Sequence, residues 1–388
     1  MTRRRRVLLV IAGLPAGGAE RQMAMLASGL DRSRFEPGLL IFTAADKVHY
    51  PHALEKDIWF RALGLSGHSR VALPPKLVWG IQRAVRDFRP DIVHSSLNVA
   101  NHFVRATAIL FRWRVPVITS VRNDFRNGYR RSERLAERLL WRRSATITCN
   151  SERVMEQLVS DLGIPGGRVV CIPNGIDDRF FSAEEISLPD WWPGGNVALF
   201  VGRFSRQKNP VALIDAFGDA LATADPGRWT LLLVGEGPLE AEMRGKIYQR
   251  GLDNRVLIRR PERNVRPLYR GASLLILPSL YEGTPNVCLE AASSGCPVAA
   301  TRGAGVEALL SAGGGWQLET ALSDMSRDLA AILGLSARER EAAGTYGRNH
   351  VRRAHTAAAM VSANEDLYDA LAGAGRQRLP YGRTTTDE

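Results

Sequence analysis

Short apolar runs that alternate with amphipathic stretches limit this chain to few folds. Residues 7–11, 39–42, 92–93, 117–119 and 145–148 are continuous apolar or β-branched runs, and helical patterns such as 20–30 and 76–88 lie between them. Strands with helices packed on both faces read as unbroken apolar runs, and parallel neighbours need a crossover, usually a helix. The pattern therefore predicts a parallel sheet of βαβ units. It then restarts. Residues 197–201, 229–234, 256–258, 274–277 and 298–300 read as strands of a second sheet, with helices over 210–222, 239–250 and 285–294. At 388 residues the chain exceeds the roughly 250–300 residues that one hydrophobic core serves. We expect an α/β protein with two Rossmann-like domains, 1–181 and 197–350. Residues 182–196, with Pro189, Pro193, Gly194 and Gly195, read as a linker. A last helical stretch spans about 338–371; its part from 351 to 372 is expected to pack back toward the first domain, ahead of a polar tail, 373–388.

Arg3 to Arg6 followed by residues 7–11 has the order of a signal peptide, basic then apolar. A first buried strand is the preferred reading, because Gly13 interrupts the apolar run and Gly17-Gly18 follow. No stretch approaches the ~18 apolar residues of a membrane span. Cys149, Cys171, Cys288 and Cys296 form no C-x-x-C pair, so no structural zinc is expected, and so few cysteines fit a reducing, cytoplasmic setting. The formal charge of +12 is uneven. Residues 1–175 hold 28 Lys and Arg against 14 Asp and Glu, whereas 176–388 hold 24 against 26. That asymmetry points to an anionic partner for the first half: acidic lipid, a phosphorylated acceptor or nucleic acid.

Ligands of doubly wound sheets bind beyond the carboxyl ends of the strands, so the loops there are the candidates. The first is Gly13-Leu-Pro-Ala-Gly-Gly-Ala-Glu20. Glycines admit a phosphate close to the backbone, and the start of the next helix offers N–H groups. The spacing is not G-x-G-x-x-G, and a plain tight turn stays open. The second loop, Gly202 to Asn209, carries Arg203 and Lys208, suited to neutralising a diphosphate leaving group. In the third, Thr284 reads as an N-cap and Pro285 as the first helical residue. Glu282 and Glu290, with seven residues between them, suit hydrogen bonds to vicinal hydroxyls. The amides of Gly283, Thr284 and Asn286, with Pro285 between them, lie at a helix start that suits a phosphate.

Taken together these motifs resemble the retaining glycosyltransferases of family 4, whose fold is GT-B: two facing Rossmann-like domains with an interdomain cleft. The resemblance rests on Gly17-Gly18 with Glu20, His94 in Asp91-Ile-Val-His-Ser, Pro173-Asn-Gly-Ile-Asp177, Gly202-Arg203 with Lys208, Gly235-Glu-Gly-Pro238, and the Glu282…Glu290 pair. It implies that Glu290 holds the ribose hydroxyls and Glu282 those of the transferred sugar. It implies too that Arg203 and Lys208 clamp the diphosphate, with amides of Gly17, Gly18 and the 283–286 turn helping. His94 is implied beside the donor sugar. The departing phosphate is implied to take the acceptor's proton. This agrees with the lack of a D-x-D motif; neither metal nor cofactor is expected. Arg259-Arg260-Pro261-Glu262 departs from the family's pattern where the base pocket lies, so the donor's base, UDP or GDP, stays open.

Residues 122–143 contain eight arginines and three acids, and Arg130, Arg134, Arg138 and Arg142 recur every fourth residue. A helix would line them up on one face. A solvated face is one reading. The other is contact with an anionic membrane surface on its inner, cytoplasmic side, or with a polyprenyl-diphosphate acceptor in cell-surface polysaccharide assembly. A nucleotide-sugar epimerase of the same architecture is an alternative that would release its product without an acceptor. A nucleic-acid binder would explain the charge, but the basic segment lacks interleaved aromatics, and no nucleic-acid partner is expected.

Overall fold

The structure is a computed structural model that describes residues 3–50, 57–65, 75–184, 186–223 and 229–373. The chain divides into two compact units, Met1–Gly175 with Ala357–Glu388, and Ile176–Thr356.

The first unit runs β1 (Arg5–Ile11), α1 (Gly18–Gly29), β2 (Phe35–Ile41), β3 (Trp59–Ala62), α2 (Pro75–Phe88), β4 (Ile92–Ser96), α3 (Asn98–Leu110), β5 (Val117–Val121), α4 (Phe125–Gly128), α5 (Arg131–Leu140), β6 (Thr146–Cys149), α6 (Glu152–Leu162) and β7 (Val169–Cys171). Its parallel sheet has the order β3-β2-β1-β4-β5-β6-β7. Val7, Leu9 and Ile11 turn to a core shared with α1, while Leu8 and Val10 turn to one shared with α2 and α3. The period-2 alternation of a strand buried on both faces explains why the run carries no polar residue. Residues 7–11 are therefore the first strand of the sheet.

The second unit runs β8 (Asn196–Val201), α7 (Pro210–Thr223), β9 (Trp229–Val234), α8 (Glu240–Gln249), β10 (Val256–Arg259), α9 (Arg266–Gly271), β11 (Leu274–Leu277), α10 (Asn286–Ser293), β12 (Val298–Thr301), α11 (Glu307–Ser311), β13 (Gly315–Leu318), α12 (Leu322–Leu333) and α13 (Ala337–Ala354). Its sheet, also parallel, has the order β10-β9-β8-β11-β12-β13. The last helix, α14 (Ala357–Gly373), belongs to the first unit. Met360, Val361, Leu367 and Tyr368 enter the α1 core. Glu365 accepts from the Asp31 N–H at 2.7 Å and from Arg34 at 3.0 Å.

The boundaries differ from the expected ones. Residues 176–181 go with the second unit, because the Ile176 N–H donates to the His355 carbonyl at 2.8 Å and Ile176 and Phe180 are buried in the second core. The expected linker, 182–196, is no free spacer either: Trp191 and Trp192 pack on that core. The helical stretch 338–371 is two helices. His355, at φ −132° and ψ 34°, leaves helical geometry, and Thr356 bridges to Ile176 where the chain passes from one unit to the other. Of the expected tail, residues 374–388 lie outside the described residues.

Candidate functional site

The second unit gathers its candidates at the carboxyl ends of β8, β9, β11 and β12. Close backbone approach builds this corner, and glycine makes it possible. A Cβ on Gly235 would lie 1.9 Å from the Gly202 carbonyl oxygen, and one on Gly305 would lie 1.8 Å from that of Gly283. Both are impossible contacts, so Gly235 in the Gly235-Glu-Gly-Pro238 motif is there for packing. The Phe204 N–H donates to the Glu236 carbonyl at 2.9 Å. The 203–209 and 278–282 loops are also joined: the Leu280 N–H donates to the Gln207 carbonyl at 2.8 Å, and Gln207 Nε2 donates to the Tyr281 carbonyl at 3.0 Å.

On this frame Lys208 Nζ lies 2.7 Å from Glu282 Oε1, with both side chains largely buried. Glu290, 3% exposed, sits in the second turn of α10 and accepts from Tyr269 Oη at 3.1 Å. Arg203 is exposed, and no ion pair holds it among the described residues. The expected cap differs. Pro285, with ψ 115°, is extended and stands at the N-cap position, one residue after the expected Thr284, and α10 begins at Asn286. Glu282, Gly283, Pro285 and Asn286 are buried, with Thr284 half-buried. The corner thus carries a lysine, two carboxylates and an exposed arginine at a helix start, a set able to meet phosphates on one side and hydroxyls on the other.

In the first unit, His94 is 2% exposed and engaged at both ring nitrogens. Nδ1 lies 2.7 Å from Tyr368 Oη and Nε2 lies 2.8 Å from Ser120 Oγ. Burial lowers its pKa to about 3, so the ring is neutral. Gly17 is half-buried and Gly18 is exposed. The Gly17 N–H donates to Tyr50 Oη at 3.0 Å, and a Cβ on Gly17 would fall 2.2 Å from Glu20 Oε2. The Glu20 carboxyl folds over its own helix start, and burial raises its pKa.

The basic segment is only partly helical. Arg134 and Arg138 lie in α5, Arg130 precedes it, and Arg142 sits in a 3-10 turn, Trp141–Arg143. Trp141 turns inward, 8% exposed, and ends the stripe, while the Arg142 guanidinium lies 4.7 Å from the centre of the Trp141 ring. Leu135 and Leu139 are exposed on α5. A hollow of about 590 Å³ beside it is lined by Phe125, Arg131, Arg134, Leu135, Arg138, Ser160 and Asp161. Beneath, Glu137 pairs with the buried Arg105 and lies 3.2 Å from His102. Burial alone would raise the Glu137 pKa, but the Arg105 guanidinium, with the His102 hydrogen bond, holds it down to about 2.

Sequence reading missed Tyr269, Tyr368 and Ser120, which no local signal ties to their partners. It also missed Ser96, which the two-residue period places on the His94 side of β4. No described helix is long and apolar enough to cross a membrane, and no group of three His, Cys, Asp or Glu among the described residues is placed to hold a metal ion.

Comparison with known proteins agrees with this geometry. The family profile described as Glycosyltransferase Family 4 matches residues 16–180, and that described as Glycosyl transferases group 1 matches 195–333. One relative is the Campylobacter jejuni GalNAc-alpha-(1->4)-GalNAc-alpha-(1->3)-diNAcBac-PP-undecaprenol alpha-1,4-N-acetyl-D-galactosaminyltransferase, 24% identical, covering 74% of this chain and 76% of its own length. Among solved structures, Anabaena Alr3699/HepE in complex with UDP and glucose is similar over 94% of this chain and 100% of that one, at 19% identity and a TM-score of 0.78. Sucrose-phosphate synthase from Thermosynechococcus elongatus is similar over 95% and 100%, at 18% and 0.78. The two profiles fall one on each Rossmann-like unit, and the chain is a glycosyltransferase of the family 4 and group 1 type with GT-B architecture.

Proposed function

We propose that this glycosyltransferase moves a hexose or N-acetylhexosamine from a uridine or guanosine diphosphate donor to a lipid-linked glycan, with retention at the anomeric carbon and without a metal. The observation that carries the reading is the second-unit corner, where the Lys208–Glu282 pair, Glu290 and the exposed Arg203 sit together. Arg203 and Lys208 neutralise the diphosphate as it departs. Glu290 accepts from the ribose hydroxyls, steadied by Tyr269, and Glu282 accepts from the transferred sugar. The bond from the anomeric carbon to the phosphate oxygen breaks, the acceptor oxygen bonds to the same face, and the departing phosphate takes the acceptor's proton. Gly17 and Gly18 offer their amides to a phosphate once Glu20 turns aside. His94, neutral and fixed at both nitrogens, serves the end of β4 as a positioning group.

The lipid-linked acceptor is supported by the excess charge of the first half and by the undecaprenol-linked substrate for which the Campylobacter relative is named. The uridine donor is supported by the UDP bound in the Anabaena structure. Arg130, Arg134, Arg138 and Arg142 would meet the anionic inner face of the membrane as a cluster rather than as one helical stripe. The test is transfer from labelled UDP- and GDP-sugars, with chelator present, to a polyprenyl-diphosphate sugar and to the same sugar free. An α-linked product from an α-linked donor, formed only on the lipid-linked acceptor, is expected. An inverted product, a metal requirement, or equal transfer to the free sugar contradicts the corresponding part.

A further inference from the structure

Arg122 follows β5 at the carboxyl edge of the first sheet. Its Nη2 donates to Asn174 Oδ1 at 2.6 Å. Its Nε is shut off from solvent without a hydrogen-bond partner, while part of the side chain stays accessible. No carboxylate among the described residues forms an ion pair with it. The second orphan is Ser96, 1% exposed at the end of β4, whose Oγ also has no partner. Ser96 and Arg122 line one small hollow of about 10 Å³ with Gln22, His94 and Ser120.

A buried polar atom without a partner loses its hydration for nothing, and a guanidinium without a counter-charge loses more. Stability does not explain this pair. Burial also pulls the Arg122 pKa down to about 10, with the nearby Glu20 charge offsetting only part of it. The nearby carboxyl, Glu20, is not within ion-pair distance; it folds over the start of α1, whose Ala19 and Gln22 line the same hollow.

We propose that Arg122 and Ser96 anchor a phosphate-binding subsite in the first unit, separate from Arg203 and Lys208 of the second. A phosphate oxygen takes the Arg122 Nε–H and the Ser96 hydroxyl, and the Glu20 carboxyl swings away to admit it. The hollow has room for about one water, so the anion engages from the accessible side of Arg122 and only its edge reaches Ser96. The phosphate belongs either to the acceptor's lipid diphosphate or to the donor. The subsite gives the first half's excess charge a defined anion to bind.

The test is calorimetry on the full chain with farnesyl diphosphate, UDP and inorganic pyrophosphate, for the wild type, Arg122→Gln and Ser96→Ala. Losing a charge-assisted hydrogen bond predicts about a tenfold or greater loss of affinity in Arg122→Gln, with a smaller loss on the same probe in Ser96→Ala. Loss confined to farnesyl diphosphate assigns the acceptor's phosphate; loss confined to UDP assigns the donor's. Because the guanidinium is only partly compensated, Arg122→Gln is expected to keep or raise the melting temperature, whereas a purely structural arginine would lower it. If Arg122→Gln does not fold, Arg122→Lys, which keeps the charge but not the Nε–H, must show the loss instead. Affinities within twofold of wild type for all three probes overturn the subsite. The proposed function fails separately, if the wild type binds no nucleotide while farnesyl diphosphate still reports on Arg122.

Discussion

In the second unit, two of the charged groups at the strand ends are held, Lys208 by Glu282 and Glu290 by Tyr269, beside an exposed Arg203 and a buried Ser279 Oγ without a partner. In the first unit, the corresponding edge leaves Ser96 Oγ and Arg122 Nε without partners, while its strong ion pair, Arg105–Glu137, lies in a network with His102 beneath α5. A site built for one fixed class of ligand can be arranged in advance, with loops locked by glycines such as Gly235 and Gly305. Preorganised charges cost no rearrangement at the moment of reaction. A site that meets varied acceptors keeps unsatisfied groups for the ligand to complete. The contrast teaches that the second unit presents paired charges on a glycine-locked frame, whereas the first keeps a guanidinium without a carboxylate partner among the described residues for a ligand to complete.

The largest expected effect is on the donor corner. Lys208→Ala should lower kcat/KM by about 10²–10³-fold, comparable to the loss of one donor group aimed at developing charge, without a matching loss of fold; steady-state kinetics beside a melting curve checks this. A loss of under tenfold would remove Lys208 from the transition state and weaken the contrast.

Next comes Glu137→Gln, which leaves the buried Arg105 guanidinium without its counter-charge. It should destabilise the first unit by about 3 kcal/mol, read by denaturant titration, yet leave UDP affinity unchanged. If nucleotide affinity fell too, the two units would not divide the work as described.

The pH dependence of stability sharpens the same division. His94 has a folded pKa lowered from 6.5 to about 3, so below 6.5 the unfolded chain binds the extra proton. Its contribution is complete above pH 6.5 and is lost as pH falls toward 3. Glu137, lowered from 4.5 to about 2, contributes above 4.5 and loses that contribution between 4.5 and 2. Acid unfolding is therefore predicted to begin in the first unit. His94→Gln should flatten the upper part of the curve, and activity should show no inflection near 6.5 from this residue.

The smallest effect expected is that of Tyr269→Phe. It removes one hydrogen bond to Glu290, worth about 1–2 kcal/mol, and should raise the donor KM about tenfold with kcat little changed. An equal fall in kcat would move Glu290 from ground-state binding into the transition state.

The central strands were legible because β1, β8 and β11 are buried on both faces and carry unbroken apolar runs; β4 was legible only at Ile92-Val93, because His94, Ser95 and Ser96 end its apolar part. Of the four edge strands only β10 was legible. β3, β7 and β13 are three or four residues long and partly exposed, so nothing in their composition separates them from loops. The unit boundary depends on Ile176 meeting His355, a contact between residues far apart in sequence. That Glu282 and Lys208 lie near one another could be expected from sequence, because each sits in a loop that follows an apolar strand. Tyr269 and Tyr368 were not legible, since packing alone brings them to Glu290 and His94. The fourfold arginine spacing predicted a helix over the whole stripe, but the burial of Trp141 stopped it short of Arg142.

The most direct test of the central claim, that the second unit holds the nucleotide diphosphate, is calorimetric titration of UDP, GDP, ADP and NAD into the wild type and Glu290→Ala, without divalent metal. Tight binding of UDP or GDP by the wild type, weakened about tenfold or more in Glu290→Ala through loss of a charge-assisted contact to the ribose, is the result predicted. Binding of NAD alone, of nothing, or of UDP and GDP with equal affinity in both proteins would contradict it.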